Sequence, residues 1–283
     1  SLSRGVRLMT VDGLTGAQVF LSAATAQKAT PEGLIDETSG VHGLHLAALN
    51  LLTGELLWQT TAFYEELAGE VNLPPAVPSL VDRDADGRID ALVCGDLAGR
   101  VWLVDAFSGA IVGGAPIFVT PGGPGEPIGA GVAVHGQRLV FGTGGAAEAD
   151  PHGQYALYAL DLLPQGAVLA WRYPLEIGEQ VWSMPLLDVH GNLLVGTGVE
   201  ALWTTPGALQ AGSGRLLVID RSGALKQQSD LAAAAITRAV ARDGTAVSVT
   251  LTGEVQQYGG NPTGGTQDAN RLGSVKVLSW RIR

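Results

Sequence analysis

Short apolar runs alternate with polar, glycine-containing turns along most of the chain. One unit recurs, in which an apolar strand is followed by Asp or Asn, a short turn that ends in Gly, and a second strand. This pattern predicts a β-hairpin. It occurs five times, as RLMTVDGLTGAQVFL, LHLAALNLLTGELLWQ, VWLVDAFSGAIV, ALYALDLLPQGAVLAW and LLVIDRSGALKQQ. The polar residues of these turns are Asp12, Asn50, Asp105, Asp161 and Asp220, spaced by 38 residues and then by 55, 56 and 59.

A second hairpin precedes several of these units. It appears as GAGVAVHGQRLVFGTG, SMPLLDVHGNLLVGTG and TRAVARDGTAVSVTLTG, each with a His-Gly or Asp-Gly turn between two strands. Two hairpins give each repeat four strands, and four-stranded units that recur every several tens of residues are typical of a β-propeller. We therefore predict an all-β protein, a β-propeller built from mostly four-stranded antiparallel blades.

The predicted number of blades is six to seven. The five units and the final strand SVKVLSWRIR give six outer hairpins, and residues 62–73 leave room for a seventh blade. The strand at residues 6–11 is expected to pair with the C-terminal strand, because this pairing closes the ring and removes exposed strand edges. Residues 1–283 would then form a single propeller domain. We interpret the chain as a fragment of a longer protein, because it begins at Ser1 without a methionine.

The composition agrees with a large β-rich core. Hydrophobic residues make up 46% of the 283 residues and charged residues 16%, while 40 glycines and 14 prolines favour turns over long helices. The net charge of −10 and the lack of a basic patch argue against nucleic acid as a partner. Cys94 is the only cysteine, so an intrachain disulfide is impossible. No apolar run is long enough for a transmembrane helix.

One repeat carries an acidic loop where its neighbours have short turns. The segment VDRDADGRIDALVCGD aligns with the repeats that turn at residues 135–136 and 190–191. Its spacing is Asp-x-Asp-x-Asp-Gly-x-x-Asp, which places carboxylates at loop positions one, three, five and nine and a permissive glycine at position six. Calcium takes six to eight oxygen ligands. We predict a Ca²⁺ site formed by Asp82, Asp84, Asp86, the backbone carbonyl of Arg88, and Asp90.

Two other interpretations of this loop are a solvated acidic turn and a magnesium site. Four carboxylates this close would repel one another without a cation, and magnesium demands near-ideal octahedral geometry. An EF-hand would supply a bidentate Glu at position twelve, where this chain has Val93. The loop is therefore similar to an EF-hand loop without the flanking helices, and Ile89 is expected to anchor it in the core. No nucleophile or histidine adjoins the loop, so a catalytic role is not predicted.

Residues 82–109, DRDADGRIDALVCGDLAGRVWLVDAFSG, resemble the calcium-loop blade of the PilY family of type IV pilus biogenesis factors and tip-associated adhesins. The family pattern continues after the acidic loop with Gly-Asp-x-x-Gly-x-Val-Trp-x-x-Asp, which residues 95–105 match. The last nine residues, VKVLSWRIR, also resemble that family's terminal strand. The resemblance implies the C-terminal propeller of a longer protein, which in this family is usually described with seven blades.

The same resemblance implies a function without catalysis. Calcium occupancy would bias the pilus between extension and retraction, and hence twitching motility and surface attachment. The implied partners are minor pilins of the pilus tip complex and host or abiotic surfaces. The implied location is exported, at the pilus tip, the cell surface, or the outer membrane and periplasm.

Two alternatives to this function remain open at the level of sequence. Trp58 and Trp171 each follow a turn ending in glycine, as in quinoprotein propellers, although aromatic packing between blades also accounts for them. A quinoprotein dehydrogenase would usually carry a vicinal cysteine pair, which Cys94 alone cannot form. A periplasmic scaffold propeller of the outer-membrane assembly type would share the tryptophans without needing the acidic loop. We further expect a buried, inert Cys94. We expect Asp96 to bond backbone in its turn, where it could also support the calcium ligands from behind.

Overall fold

The computed structural model describes the chain in segments. These are residues 10–13, 16–25, 28–29, 35–36, 43–50, 53–62, 78–86, 89–145, 149–164, 166–188, 190–199, 213–231, 235–240, 246–250 and 255–258. The secondary structure in them is almost entirely β. No helix among the described residues is long and apolar enough to cross a membrane.

Among the described residues, four sheets have four antiparallel strands each. The first contains β1 (Thr10–Gly13) and β2 (Gly16–Thr25), followed after the small pair β3 (Lys28–Ala29) and β4 (Ile35–Asp36) by β5 (Gly43–Asn50) and β6 (Leu56–Ala62). The second contains β7 (Ser79–Val81), β8 (Ala91–Gly95), β9 (Arg100–Asp105) and β10 (Phe118–Val119), with short 3-10 helices at Val112–Gly114 and Gly123–Gly125.

The third sheet contains β11 (Ala133–His135), β12 (Arg138–Gly142), β13 (Gln154–Leu163) and β14 (Gly166–Ile177). A short strand β15 (Glu179–Gln180) leads into the fourth sheet, whose strands are β16 (Leu186–Leu187), β17 (Leu193–Gly196), β19 (Gly214–Ile219) and β20 (Leu225–Leu231). Strand β18 (Gly198–Val199) pairs with β15. The described part of the fifth sheet has three strands, β21 (Ala235–Val240), β22 (Ala246–Thr250) and β23 (Val255–Tyr258).

The predicted unit of two consecutive hairpins is confirmed in the first, third and fourth of the four-stranded sheets. In the second sheet the predicted strand after the Asp105 turn makes only the single bridge Val104–Ile111, and β10 follows after residues 106–117. The four sheets share one strand order. In each of them the strands follow one another in space in the order in which they occur along the chain. The predicted pairing of residues 6–11 with the C-terminal strand falls largely on residues outside the described segments, as do the final strand and residues 63–73. Ring closure and the number of six to seven blades therefore stay predictions.

The turn at Asp12 occupies a different place in its sheet from the other four turns of the predicted repeat. Asn50, Asp105, Asp161 and Asp220 all lie at or near the end of the third strand of a sheet, before the hairpin to the fourth. Asp12 instead precedes the hairpin between the first and second strands of the first sheet. The 38-residue spacing is thus the distance between two hairpins of one sheet, whereas the later spacings separate successive sheets.

Successive sheets pack face to face, and the middle strands are buried on both faces. In β8, Leu92 and Cys94 contact the cluster that contains Leu46 of the first sheet. The intervening Val93 belongs to a second cluster, shared with Phe141 of the third sheet. Side chains along a strand alternate between faces. A strand with neighbours on both sides must therefore be apolar at every position, as β8 is.

Two tryptophans connect neighbouring sheets in the same way. The Trp58 indole N–H of β6 donates to the Ala106 carbonyl of the second sheet at 2.9 Å, and its ring covers Gly109, where a Cβ would lie 2.5 Å from the ring. Trp171 of β14 donates to the Arg221 carbonyl of the fourth sheet at 3.1 Å and covers Gly223. Both tryptophans therefore pack between sheets, as the packing interpretation predicts.

Candidate metal centre

The acidic loop is an enlarged hairpin turn between β7 and β8 of the second sheet. Its base is closed by the Val81–Ala91 pair and by a hydrogen bond from the Asp90 amide to the Val81 carbonyl at 3.1 Å. The Asp90 carbonyl in turn accepts from the Ala106 amide at 2.9 Å. Ile89 packs against the apolar cluster between the first and second sheets, as expected. Both ends of the loop are therefore tied to the sheet.

The corresponding turns of the next two sheets are shorter. Residues 136–137 connect β11 to β12, and residues 188–192 connect β16 to β17, whereas residues 82–90 connect β7 to β8. The predicted equivalence of these three turns is confirmed. At this turn, the second sheet differs from the next two sheets by an insertion.

Three of the predicted ligands come together at the tip of the loop. One carboxylate oxygen from each of Asp82, Asp84 and Asp86 lies within 4.8 Å of the other two. Asp82 is half-buried, and Asp84 and Asp86 are exposed. The Asp86 amide donates to Oδ1 of Asp82 and to Oδ1 of Asp84, both at 3.2 Å. Ala85 adopts a left-handed conformation with φ of 60°, which turns the chain back so that alternate carboxylates face one another.

The fourth aspartate makes a different contact. Oδ1 of Asp90 accepts a hydrogen bond from the Arg83 amide at 2.8 Å, and Oδ2 lies 3.8 Å from Nε of Arg83. Asp90, the last residue of the loop, therefore stabilises it by bonding Arg83 near the beginning of the loop. Gly87 and Arg88 lie outside the described residues, so the carbonyl ligand expected from Arg88 stays a prediction.

The arrangement of Asp82, Asp84 and Asp86 fits a hard divalent cation. Calcium binds carboxylate oxygens at roughly 2.3–2.6 Å, so two oxygens bound to one ion can be separated by up to about 5 Å. The spread of at most 4.8 Å among the three oxygens lies within this limit. A cation would also remove the repulsion among three adjacent negative charges. Asp90 keeps acceptor capacity after its bond to Arg83, because a carboxylate offers about four lone-pair sites.

Asp96 does not stand behind this site. It is fully buried at the opposite end of β8, about 17 Å along a five-residue strand at roughly 3.3 Å per residue. Its carboxylate accepts from the amides of Ala98 and Arg100, from Nε of Arg100 and from Nε1 of Trp102, at 2.9 to 3.0 Å. The expected backbone contacts are confirmed, and the expected position behind the metal ligands is wrong.

These contacts give the Gly-Asp-x-x-Gly-x-Val-Trp motif a structural role. The buried carboxylate of Asp96 bonds the backbone of the tight turn and the side chains of Arg100 and Trp102. Gly99 has φ of 73°, and a Cβ there would lie 2.2 Å from Oγ1 of Thr120. The motif therefore fixes the connection between the second and third strands of the sheet.

The remaining sequence candidates form no further centre among the described residues. Cys94 is buried, and its burial together with the negative charge of Asp96 raises the pKa of the thiol, as an inert cysteine requires. His135 and His190 are exposed. Within the segments that the structure describes, no other group of three His, Cys, Asp or Glu side chains lies close enough to hold an ion.

One neighbour of the loop has no signal in the sequence. Nε2 of Gln137, in the short turn of the third sheet, donates to the Asp82 carbonyl at 2.7 Å. The two residues are 55 positions apart, and only the stacking of the sheets brings them together. The equivalence of the two turns in successive repeats is the one feature that could have pointed to this contact.

Comparisons with known proteins bear on the fold. No protein-family model matches the sequence, and no curated protein matches it. The structure is similar to the crystal structure of the Pseudomonas aeruginosa PilY1 C-terminal domain, with a TM-score of 0.59 and 13% identity over 88% of this chain and 71% of that one. It is also similar to a europium-containing methanol dehydrogenase, with a TM-score of 0.51 and 13% identity over 90% of this chain and 53% of that one.

These likenesses, at low identity, concern the architecture alone. Together with the four-stranded antiparallel sheets, they define the chain as an all-β protein of the β-propeller type. The chain spans about half the length of the dehydrogenase.

Proposed function

We propose that this protein is a calcium-binding, non-enzymatic propeller module of a PilY-type pilus protein. The observation that carries the proposal is the convergence of the Asp82, Asp84 and Asp86 carboxylates at the tip of one hairpin. The resemblance of residues 82–109 to the calcium-loop blade of the PilY family supports it, and so does the shared architecture with the PilY1 C-terminal domain.

Calcium would act on the shape and charge of the loop. Without a cation, the three carboxylates repel one another, and Asp84 and Asp86 project this charge into solvent. A bound Ca²⁺ neutralises the tip and holds the backbone between two fixed strand ends. The surface that the second sheet offers to a partner thereby changes with calcium concentration.

In the proposed setting, the calcium-dependent surface belongs to an exported protein at the pilus tip, the cell surface, or the outer membrane and periplasm. Minor pilins of the tip complex are the proposed partners, and host or abiotic surfaces are the proposed targets of adhesion. Calcium occupancy would bias the pilus between extension and retraction.

Isothermal titration calorimetry tests the site directly. The wild-type protein is expected to bind one Ca²⁺ per chain and to bind Mg²⁺ more weakly. The double substitution Asp84→Asn and Asp86→Asn removes two charges from exposed side chains and is expected to weaken calcium binding at least about tenfold. Asp230→Asn, at an exposed position of β20, is the matched control and should leave the affinity unchanged. Equal calcium affinity in the double variant and the wild type would contradict the proposal.

A quinoprotein-like enzyme is the second candidate, favoured by the architecture shared with the methanol dehydrogenase. The tryptophans that first suggested it have a structural role, since Trp58 and Trp171 dock onto the neighbouring sheet. The absorption spectrum of the purified protein separates the two functions. A co-purifying quinone chromophore would contradict the non-enzymatic proposal. A periplasmic scaffold, the third possibility, gives no reason for calcium binding.

A further inference from the structure

One peptide group joins the acidic loop to the neighbouring sheet. The carbonyl of Asp82 and the amide of Arg83 belong to the same peptide unit. The carbonyl accepts from Nε2 of Gln137 in the third sheet at 2.7 Å. The amide donates to Oδ1 of Asp90 at 2.8 Å. Because a peptide unit is planar and rigid, the Gln137 side chain helps to set the direction in which the Arg83 amide meets the Asp90 carboxylate.

Gln137 is itself held in place on the third sheet. It is the second residue of the two-residue turn between β11 and β12, where Gly136 has φ of 57°. Its carbonyl accepts from the Leu162 amide at 2.8 Å, which ties the turn to the end of β13. The donor that reaches the loop therefore comes from a fixed backbone.

The next residue extends the connection in the opposite direction. Arg138 donates through Nε to Oδ1 of Asp161 at 2.6 Å and through Nη1 to the Arg221 carbonyl at 3.0 Å, in the turn between β19 and β20. Gln137 in the turn and Arg138 at the start of β12 thus contact the second sheet on one side and the fourth sheet on the other.

We infer that Gln137 is a positioning residue for the cation site, an inference that rests on the proposed function. Its hydrogen bond orients the Asp82–Arg83 peptide, and this peptide holds Asp90 at the edge of the site while Asp82 contributes a ligand at the cluster. Pre-organised ligands bind more tightly because less freedom is lost on binding. Without the Gln137 donor, the Asp82 carbonyl is one hydrogen bond short and the peptide can rotate away from Asp90.

Thermodynamic linkage makes the effect reciprocal. If the contact between Gln137 and Asp82 favours cation binding, cation binding favours the contact by the same factor. Calcium would therefore tighten the junction between the second and third sheets, beyond its local effect on the loop.

The test compares two glutamine substitutions in the full chain by calcium titration calorimetry. Gln137→Met keeps the size of the side chain and removes the donor to Asp82. Gln154→Met is the matched control, since Nε2 of Gln154 also donates to a backbone carbonyl, that of Leu175 at 2.5 Å, far from the loop along the chain. We expect Gln137→Met to weaken calcium affinity about three- to tenfold, the loss typical of one hydrogen bond, and Gln154→Met to change it less than about twofold.

A second readout separates positioning from a merely structural role. In the wild type, calcium is expected to slow hydrogen exchange at the Arg83 amide, and in Gln137→Met this protection should fall. If Gln137→Met fails to fold, Gln137→Asn shortens the same side chain by one methylene and gives the same comparison. Equal affinities for the wild type and the Gln137 variant would overturn the inference while leaving the calcium site intact. A wild type that binds no calcium would overturn the proposed function itself.

Discussion

At the scale of single residues, the buried carboxylates differ in their surroundings from the three at the tip of the acidic loop. Among the residues that the structure describes, each buried carboxylate outside the loop is paired with an arginine. These pairs are Asp96 with Arg100, Glu126 with Arg172 and Glu179 with Arg215. Removing a charge from water is costly unless a partner and hydrogen bonds compensate it. The carboxylates of Asp82, Asp84 and Asp86 instead lie together at the tip of the acidic loop, where an ion from solution can reach them.

Glu179 gives a prediction about pH. Burial alone would raise the pKa of its carboxyl, but hydrogen bonds from Arg215 and Thr197 outweigh burial and hold this pKa below its ordinary value of 4.5. A carboxyl with a lowered pKa stabilises the fold while it is ionised. Its contribution is therefore fully present well above pH 4.5 and is lost as the pH falls through the lower pKa of the folded state.

The substitution Glu179→Gln keeps the shape and removes this charge next to Arg215. At pH 7 we expect it to lower the free energy of unfolding by roughly 3 kcal/mol, because it breaks a buried ion pair. The difference from the wild type should begin to shrink near pH 4.5 and disappear at lower pH. Urea unfolding between pH 3 and pH 7 measures both curves. A difference that stays constant over this range would show that the carboxylate charge is not the stabilising feature.

At the scale of elements, the turn after the third strand of one sheet packs against the neighbouring sheet. In the second sheet, the turn that begins at Asp105 carries Gly109, on which the Trp58 ring rests. In the first sheet, the corresponding turn begins at Asn50 and carries Gly54, which has the same φ of 72°. A Cβ added to Gly54 would meet no atom of the described residues within 4 Å. The two glycines share a backbone conformation and differ in what covers them.

A pair of alanine substitutions separates the two effects. Gly54→Ala is expected to lower the free energy of unfolding by about 1 kcal/mol, the strain of a left-handed alanine. Gly109→Ala carries the same strain and also forces its Cβ against the Trp58 ring, which adds about 1–3 kcal/mol. Urea unfolding of the two variants gives the comparison. Equal losses would mean that the tryptophan contact contributes nothing to the packing of the sheets.

The local sequence pattern was enough to predict the strands and turns. It was not enough to predict the contacts between sheets. The alternation and turn chemistry around His135 and His190 were sufficient to predict the hairpins, because strand period and turn residues act over a few positions. The Asp12 hairpin was placed in the wrong part of its sheet, since it has the same turn chemistry as the others. Gln137 was not predicted at all, because its contact with Asp82 depends on the stacking of separate sheets.

The candidate site could likewise be predicted from the sequence only in part. The spacing of Asp82, Asp84 and Asp86 was enough to predict that they converge, because alternate residues of a tight loop face inward. The bond of Asp90 to the Arg83 amide could not be predicted, because it depends on the path of the backbone. The position of Asp96 away from the site follows from the extended strand β8, which separates Asp96 from Asp90.

At the scale of the whole molecule, stacking makes each sheet a structural neighbour of the next. The second sheet buries one face against the first and the other against the third. The consecutive residues Gln137 and Arg138 of the third sheet add polar contacts to the second sheet and to the fourth. Stability at the loop is therefore shared with the sheets around it, and a ligand of the loop should stabilise these sheets together.

Calcium should accordingly raise the thermal stability of the domain. A ligand that binds only the folded state at one hundred times its Kd adds about 2.7 kcal/mol to the free energy of unfolding. For a chain of this size we expect a rise of about 5 °C in Tm, reversed by a chelator. The double variant Asp84→Asn, Asp86→Asn should lose this response. Without calcium it should be at least as stable as the wild type, because two repelling charges are gone. Differential scanning calorimetry with calcium and with chelator measures all four states. A wild-type Tm that is indifferent to calcium would contradict a site that helps to hold the sheets together.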